Sequence, residues 1–470
     1  MSEGLLLDCA MFRFSLKAIS LFSILFGGLA QAKDHLQIIN EGIAGLEKRL
    51  EMVEHADTSI DVEYYIYNQD QAGRLFTQAL VRKKHQNPEI KIRILIDASL
   101  VLPNLGKDVI SVLAENDIEV RLYNHATIFH LSSAQFRDHR KLLIIDGKEA
   151  ITGSRNLADE YFELSPRYNF RDRDIWIEGP IVTDIEKSFE AYWDSDVTSE
   201  PKLKNNPKSK AWDFIVENEH DQFVRSELAR VGKPQLNDPN SFGECDKLNF
   251  VTDEAGYQSP DTRIVVKKVF SRLSEMKEGE KLYAESPYFI IRDEDAREQM
   301  DFLQEKKISA VLLTNSLYST DSLFVGANFY PRVSFYQNIV DTKMYVYGGE
   351  SPADSELIRN EDGSVPTENA IWGIHSKTIV FSDQSFAIGT FNLDPRSANI
   401  NTELMVFCDG SPKLAKFVTD NMLSRISQSK LVMKDGMLEN GDSIFDGIGF
   451  FKRVKFKLMK FPSNWFSYLL

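Results

Sequence analysis

Two stretches of this chain set an imidazole and an ammonium at one fixed spacing, ahead of one small pattern. The first reads His139-x-Lys141-x4-Asp146, then Gly153-Ser154-x-Asn156. The second reads His375-x-Lys377, then Gly389-Thr390-x-Asn392 at the same offsets. The chain has eight histidines, and only these two stand in such a setting. Residues two apart on a strand share a face, so each His is predicted beside its Lys on a rigid, buried strand. Two His, two Lys and two Asn brought together would make a pocket for a tetrahedral oxyanion, with charge from the ammoniums and donors from the amides. One neutral imidazole would attack phosphorus and form a phospho-histidine. The other would protonate the leaving alcohol and then serve as base for water or an incoming alcohol. This chemistry calls for no metal and no cofactor. The chain contains no CxxC and no HExxH pattern.

An attacking imidazole must be held in one tautomer, which a carboxylate on its other nitrogen achieves. Asp172 lies seven residues before Gly179, and Glu403 lies seven before Gly410. The two acids therefore align with each other, each on the strand after its motif, and both are candidates. Asp174 competes with Asp172 in the first half.

The elements that must position these groups also come twice. A helix over 38–56 leads to a β-rich run at 59–67, then strands at 91–97 and 118–123 and the motif strand from 139 to 146. In the second half a helix near 261–277 leads to a run at 281–289, strands at 309–315 and 343–347, and the strand from 375 to 382. Strands alternating with helices indicate an α/β fold with a largely parallel or mixed sheet in each half. The polar stretch 198–258, with Pro201, Pro207, Pro234 and Pro239, reads as a linker or inserted excursion. The division is thus 33–197, 198–258, 259–430 and a tail from 431 to 470.

At the start, Arg13 and Lys17 precede an apolar run from Ala18 to Ala30, and Ala30-Gln31-Ala32 has the form of a cleavage site. Residues 1–32 therefore read as an export signal, with Met11 a possible start, and the chain as periplasmic, membrane-associated or secreted. Export permits a Cys245–Cys408 bridge without requiring one. The composition, 43% hydrophobic and 27% charged, is that of an ordinary folded protein. A formal net charge of −15 argues against general nucleic-acid binding. The tail departs from that balance. Phe450-Phe451-Lys452-Arg453-Val454-Lys455-Phe456-Lys457-Leu458-Met459-Lys460-Phe461 interleaves cations with apolar side chains. This composition suits an anionic phospholipid membrane surface.

The duplicated His-x-Lys pattern resembles that of the phospholipase D superfamily, over the chain from about residue 37 onward apart from the linker. Finer features are similar to its bacterial cardiolipin synthase-like branch. They include Gly153-Ser154-Arg155-Asn156-Leu157-Ala158-Asp159-Glu160-Tyr161-Phe162, Thr314-Asn315-Ser316-Leu317, and Phe391-Asn392-Leu393-Asp394-Pro395-Arg396-Ser397 through Asn401-Thr402-Glu403. The resemblance implies two similar α/β/α sandwich domains related by pseudo-twofold symmetry, with one active site at their interface. It implies His139 as nucleophile and His375 as general acid and base. Lys141, Lys377, Asn156 and Asn392 would bind phosphate, together with Ser154 and Thr390 at the small hydroxyl position. Asp146 is the supporting acid of the first motif. The second motif has Ser382 there, so Asp383 replaces that acid only if the strand ends or bulges.

The implied activity is cleavage of a glycerophospholipid through a phosphatidyl-histidine, releasing headgroup and phosphatidic acid. The alternative acceptor is phosphatidylglycerol, which gives cardiolipin. A nuclease and an inactive membrane-binding scaffold are the remaining readings.

Overall fold

The two halves lay down their strands in the same order. The computed structural model describes residues 33–98, 105–124, 135–290, 298, 301–339, 342–352 and 356–465. The export segment predicted over 1–32 lies outside these residues. The first half contains β1 (His35–Ile39), α1 (Gly42–His55), β2 (Ser59–Tyr64), α2 (Gln71–Gln86), β3 (Lys91–Asp97), α3 (Lys107–Glu115) and β4 (Glu119–Tyr123). It continues with β5 (Lys141–Ile145), β6 (Glu149–Gly153), β7 (Tyr168–Arg171), β8 (Asp174–Glu178) and α4 (Val182–Trp193). Then come β9 (Thr198–Ser199), α5 (Ser209–Ile215), α6 (Glu219–Leu236), β10 (Phe242–Gly243) and β11 (Lys247–Thr252). The second half has α7 (Ile264–Ser274), β12 (Lys281–Glu285), β13 (Ser309–Asn315), α8 (Leu323–Phe329), α9 (Val333–Ile339) and β14 (Thr342–Tyr347). It ends with β15 (Ile371–Ile374), β16 (Thr378–Ser382), β17 (Ser385–Gly389), α10 (Pro395–Asn399), β18 (Leu404–Asp409), α11 (Pro412–Ser427), β19 (Ser429–Val432) and α12 (Phe450–Trp465).

One sheet runs β10-β1-β8-β6-β5-β2-β3-β4-β9, and the other β11-β18-β17-β16-β12-β13-β14-β19. Apart from edge strand β10, they correspond strand for strand. In each, three central strands are parallel (β2-β3-β4, β12-β13-β14) and the motif strands join them antiparallel. Both are mixed α/β sheets, and they stack as similar sandwiches.

Helices α4 and α11 lie between the sheets. The buried residues of α4 are Val182, Ile185, Phe189, Tyr192 and Trp193, a helical stripe. In α11 they include Leu414, Ala415, Val418 and Met422. These stripes share one core with inward residues of both sheets, such as Leu142, Ile144, Val380 and Val406. From Asp34 onward the chain is one compact unit. Separate apolar cores fill the two outer faces.

One expectation is corrected. Ile38 and Ile39 belong to β1, paired with β8, and the first helix starts only at Gly42. Of the two readings left open for 198–258, the structure shows the inserted excursion, built as packed elements. Its α6 opens with a capping box between Asn218 and Asp221 and buries Val224, Leu228 and Val231 at helical spacing. Pro234 falls in the last turn of α6, so its missing donor leaves the packed turns intact.

Cys245 and Cys408 are joined in a disulfide. It fastens the start of β11 to β18, where Leu248 faces Cys408. The bridge closes a segment of 163 residues. Converting both cysteines to Ser is expected to cost about 2–4 kcal/mol, mainly by freeing the unfolded chain. Urea unfolding under non-reducing conditions checks this, and an unchanged midpoint would deny the bridge a stabilising role.

Candidate active site

The backbone brings the site together through two short parallel pairings between the halves. Strand β7 pairs with β15, matching Arg171 to Ile374. An isolated bridge pairs Asp138 with Thr402. The residue after each paired position carries the chemistry: Asp172 and His375 at the first, His139 and Glu403 at the second. The His375 N–H donates to the Arg171 carbonyl at 3.0 Å, and the His139 N–H to the Thr402 carbonyl at 3.0 Å. Each histidine is therefore fixed by the opposite half.

The acids are crossed accordingly. His139 Nδ1 donates to Glu403 Oε1 and Oε2, each at 3.0 Å. His375 Nδ1 donates to Asp172 Oδ1 at 2.9 Å. The predicted strand placement needs correction for both acids and both histidines. Asp172 lies between β7 and β8, Glu403 just before β18, His139 just before β5, and His375 before β16. These loop positions are what allow cross-half pairing. Asp174, the competing acid, is on β8 and holds Arg49 at 2.8 Å and Arg155 at 3.0 Å.

Lys141 Nζ donates to the His139 carbonyl at 2.5 Å. Lys377 Nζ donates to the His375 carbonyl at 2.6 Å and to His375 Nε2 at 2.8 Å. Tyr65 meets the His139 ring edge-on at 4.9 Å, and Tyr161 meets His375 edge-on at 5.1 Å. Phe170 flanks His375 at 4.8 Å. The aromatic walls carry no signal in the His-x-Lys spacing. Tyr161 alone stands inside a run that the family resemblance had already marked.

Burial sets the electrostatics. It lowers the His139 pKa well below the ordinary value, aided by Lys141, Lys377 and Arg396. It brings His375 to about 4, with Lys377 lowering and Asp172 opposing. Burial also brings Lys141 to about 8 and Lys377 to about 7. The two acids differ. Burial raises Glu403 to about 7 despite Lys141. Burial also acts to raise Asp172, but the charge and hydrogen bond of His375, with Lys377 and Arg155, hold it far below the usual carboxylate range. His375 thus has a full anion behind it, suited to stabilising an imidazolium.

Asn156 and Asn392 reach the site from equivalent positions. Oδ1 of each is buried with no hydrogen-bond partner. Asn156 hydrogen-bonds the Tyr161 hydroxyl. The Asn392 N–H donates to Ser397 Oγ at 3.2 Å, and Ser397 Oγ donates to Glu403 at 2.7 Å. Ser397 is a positioning residue that sequence reasoning missed.

The phosphate-binding expectation for Ser154 and Thr390 is corrected. Ser154 Oγ both donates to the Arg173 carbonyl and accepts its N–H, each at 3.1 Å. Thr390 Oγ1 does the same with Leu404, at 3.3 and 2.9 Å. These hydroxyls clamp the Gly-(Ser/Thr)-x-Asn turn to the next strand, and Thr390 also hydrogen-bonds Glu403. The glycines serve that clamp. A Cβ at Gly153 would lie 2.5 Å from the Arg173 carbonyl oxygen, and one at Gly389 would lie 2.2 Å from that of Leu404.

Asp146 lies outside the site. It accepts the backbone N–H groups of Asp57, Thr58 and Ser59 at 3.1, 2.6 and 2.9 Å, fixing the entry to β2. The support role predicted for Asp383 is corrected. Strand β16 does bulge and end at Ser382, but Asp383 is exposed in the turn that follows, and Ser382 accepts only the Gln384 N–H, at 3.2 Å. Asp146→Ala is expected to cost about 1–2 kcal/mol of stability while folded protein keeps its turnover. Asp383→Ala is expected to change neither. Thermal unfolding beside a rate assay checks both, and a collapse of kcat at unchanged stability would refute the structural role.

Comparison with known proteins agrees with this geometry. The family model described as "Cardiolipin synthase, PLD-like domain" matches residues 50–193 and 277–425, one segment in each half. Cardiolipin synthase C of Escherichia coli is 26% identical over 409 residues, covering 80% of this chain and 83% of that protein. A Helicobacter pylori protein is 28% identical over 422 residues, covering 83% of this chain and 79% of its own length. The crystal structure of a Haemophilus influenzae phosphatidylserine synthase shares the fold, with a TM-score of 0.64 at 11% identity, covering 93% of this chain and 95% of that one. With its duplicated motif, its crossed histidine–carboxylate pairs and this family match, the chain belongs to the phospholipase D superfamily, within its cardiolipin synthase-like branch of phosphatidyltransferase enzymes.

Proposed function

We propose that this enzyme transfers the phosphatidyl group of one glycerophospholipid to the hydroxyl of another, as a cardiolipin synthase does, with phosphatidylglycerol as acceptor. The observation that carries the reading is the pair of crossed His–carboxylate contacts facing one lysine- and asparagine-lined centre. The family match supplies the lipid class.

His139 is neutral at pH 7, so its free nitrogen attacks phosphorus and forms a P–N bond. The P–O bond to the headgroup alcohol breaks, and that oxygen takes its proton from His375, which enters this step as the imidazolium, the bound phosphate anion offsetting the burial that keeps it neutral in the free enzyme. Until that transfer the His375 imidazolium is stabilised by the Asp172 anion. In the second step His375 removes the proton from the acceptor hydroxyl. The resulting oxygen attacks phosphorus, and the P–N bond breaks to restore His139. Lys141 and Lys377 offset charge on the phosphate oxygens. The side-chain N–H groups of Asn156 and Asn392 supply further donors to the phosphate oxygens. Lys377 leaves His375 Nε2 for a phosphate oxygen when substrate enters, which frees that nitrogen for proton transfer.

An extracytoplasmic location fits the Cys245–Cys408 bridge and the signal-like start of the chain.

The test is lipid mass spectrometry of purified enzyme with vesicles of phosphatidylglycerol and phosphatidylethanolamine, beside His139→Ala. Cardiolipin formation that is absent in the variant supports the proposal. Phosphatidic acid with little cardiolipin would replace the synthase with a hydrolytic phospholipase D. No turnover of either lipid would sink it.

A further inference from the structure

The C-terminal helix α12 is amphipathic on two faces. Phe456 turns inward and is 3% exposed, packed near Tyr330 and Phe445 at ring distances of 6.4 and 5.3 Å. This inward face ties the helix to the region of α8. The opposite face is apolar and uncovered. Phe450 is 74% exposed, Phe451 80%, Val454 37% and Leu458 70%. At about 100° per residue, these four positions share an arc about 100° wide. Lys457 and Lys455, both exposed, border that arc on either side. The helix sequence contains no Asp or Glu, in a chain whose net charge is −15.

Its position ties it to the active site. Lys452 Nζ donates to the Tyr318 carbonyl at 3.0 Å. Tyr318 opens a short loop whose Ser319 carbonyl accepts the Tyr168 hydroxyl and whose Asp321 accepts the Tyr288 hydroxyl at 2.7 Å. Tyr168 stacks edge-on against Phe170, which flanks His375. A chain of contacts thus runs from α12 to the His375 side of the centre. No helix among the described residues is long and apolar enough to cross a bilayer.

We propose that the outer face of α12 is an interfacial docking helix, which seats the enzyme on an anionic phospholipid bilayer beside the mouth of its own active site. The occupant follows from charge and shape together. An exposed aromatic and aliphatic stripe bordered by lysines matches acyl chains below and anionic headgroups at its edges. The inference rests on the lipid reading of the active site and adds the surface through which lipid is reached.

Flotation with vesicles rich in phosphatidylglycerol tests it on the intact chain. The doubly substituted Phe450→Asp, Phe451→Asp protein is expected to bind at least about tenfold more weakly. Its turnover of vesicle lipid falls in step, while its turnover of dispersed short-chain phosphatidylglycerol stays at the wild-type level. Lys455→Glu with Lys457→Glu is expected to weaken binding to these vesicles and leave binding to phosphatidylcholine vesicles unchanged. If the double Phe variant floats as well as wild type, the inference is overturned. It is also overturned if wild type never floats, or if the exposed face instead holds two copies of the chain together in solution. Flotation needs no turnover. Protein that floats but converts no lipid would refute the proposed function and leave this inference standing.

Discussion

His375→Ala enzyme given a p-nitrophenyl phosphatidyl ester is expected to release one equivalent of nitrophenol per site and then stall. Nitrophenolate leaves without needing a proton, so the first step no longer depends on a general acid. The second step still needs a base for the acceptor hydroxyl, and that base is gone. Steady-state turnover should fall about 100- to 10,000-fold, the range for loss of a positioned acid–base group. The stalled enzyme carries the phosphatidyl group on the peptide that contains His139, where mass spectrometry can find it. His139→Ala should show no burst and lose about 10,000-fold or more with every substrate. The unequal acids are the physical reason for this assignment. The Asp172 anion opposes the burial that lowers His375, and so aids its protonation once the phosphate is bound. His139, backed by a Glu403 that titrates only near 7, is kept neutral. A burst from His139→Ala and none from His375→Ala would exchange the two roles.

Asp172→Asn is the second large effect. It is expected to lower kcat about 1,000- to 10,000-fold, because an amide cannot hold the required tautomer or stabilise an imidazolium. The damage should fall on a histidine 203 residues away, in the other half. Nitrogen NMR of labelled histidine reads this directly: Asp172→Asn should move the His375 resonances and leave those of His139 in place. Glu403→Gln should do the reverse, across 264 residues, at a cost nearer 10- to 100-fold. If Asp172→Asn moved the His139 signals instead, the crossed arrangement would be wrong.

Much of this was legible in the chain before any coordinates. Chemistry fixes the His-x-Lys spacing, so both pairs stood out, and the repeat made Asp172 and Glu403 visible as equivalents. The order of strands followed from the same duplication. What could not be read was which histidine each acid serves. That depends on two pairings across the halves, Arg171 with Ile374 and Asp138 with Thr402, and neither leaves a local pattern. Ser154 and Thr390 misled for a related reason. A hydroxyl after glycine has the same sequence signature whether it meets a substrate or clamps a backbone. Helix α6 was hidden because its charges and Pro234 outweighed a sparse apolar stripe. Asp383 lay one residue from the expected position, and in a tight turn that offset removes every contact Asp146 makes.

The crossing also governs how such a chain can change over generations. A duplicated segment ordinarily leaves one copy free to lose its chemistry. Here neither copy has that freedom, because each holds the carboxylate that the other's imidazole depends on. Drift in either half is felt at both histidines. Ser382 lies at a turn that serves neither histidine, outside this mutual dependence.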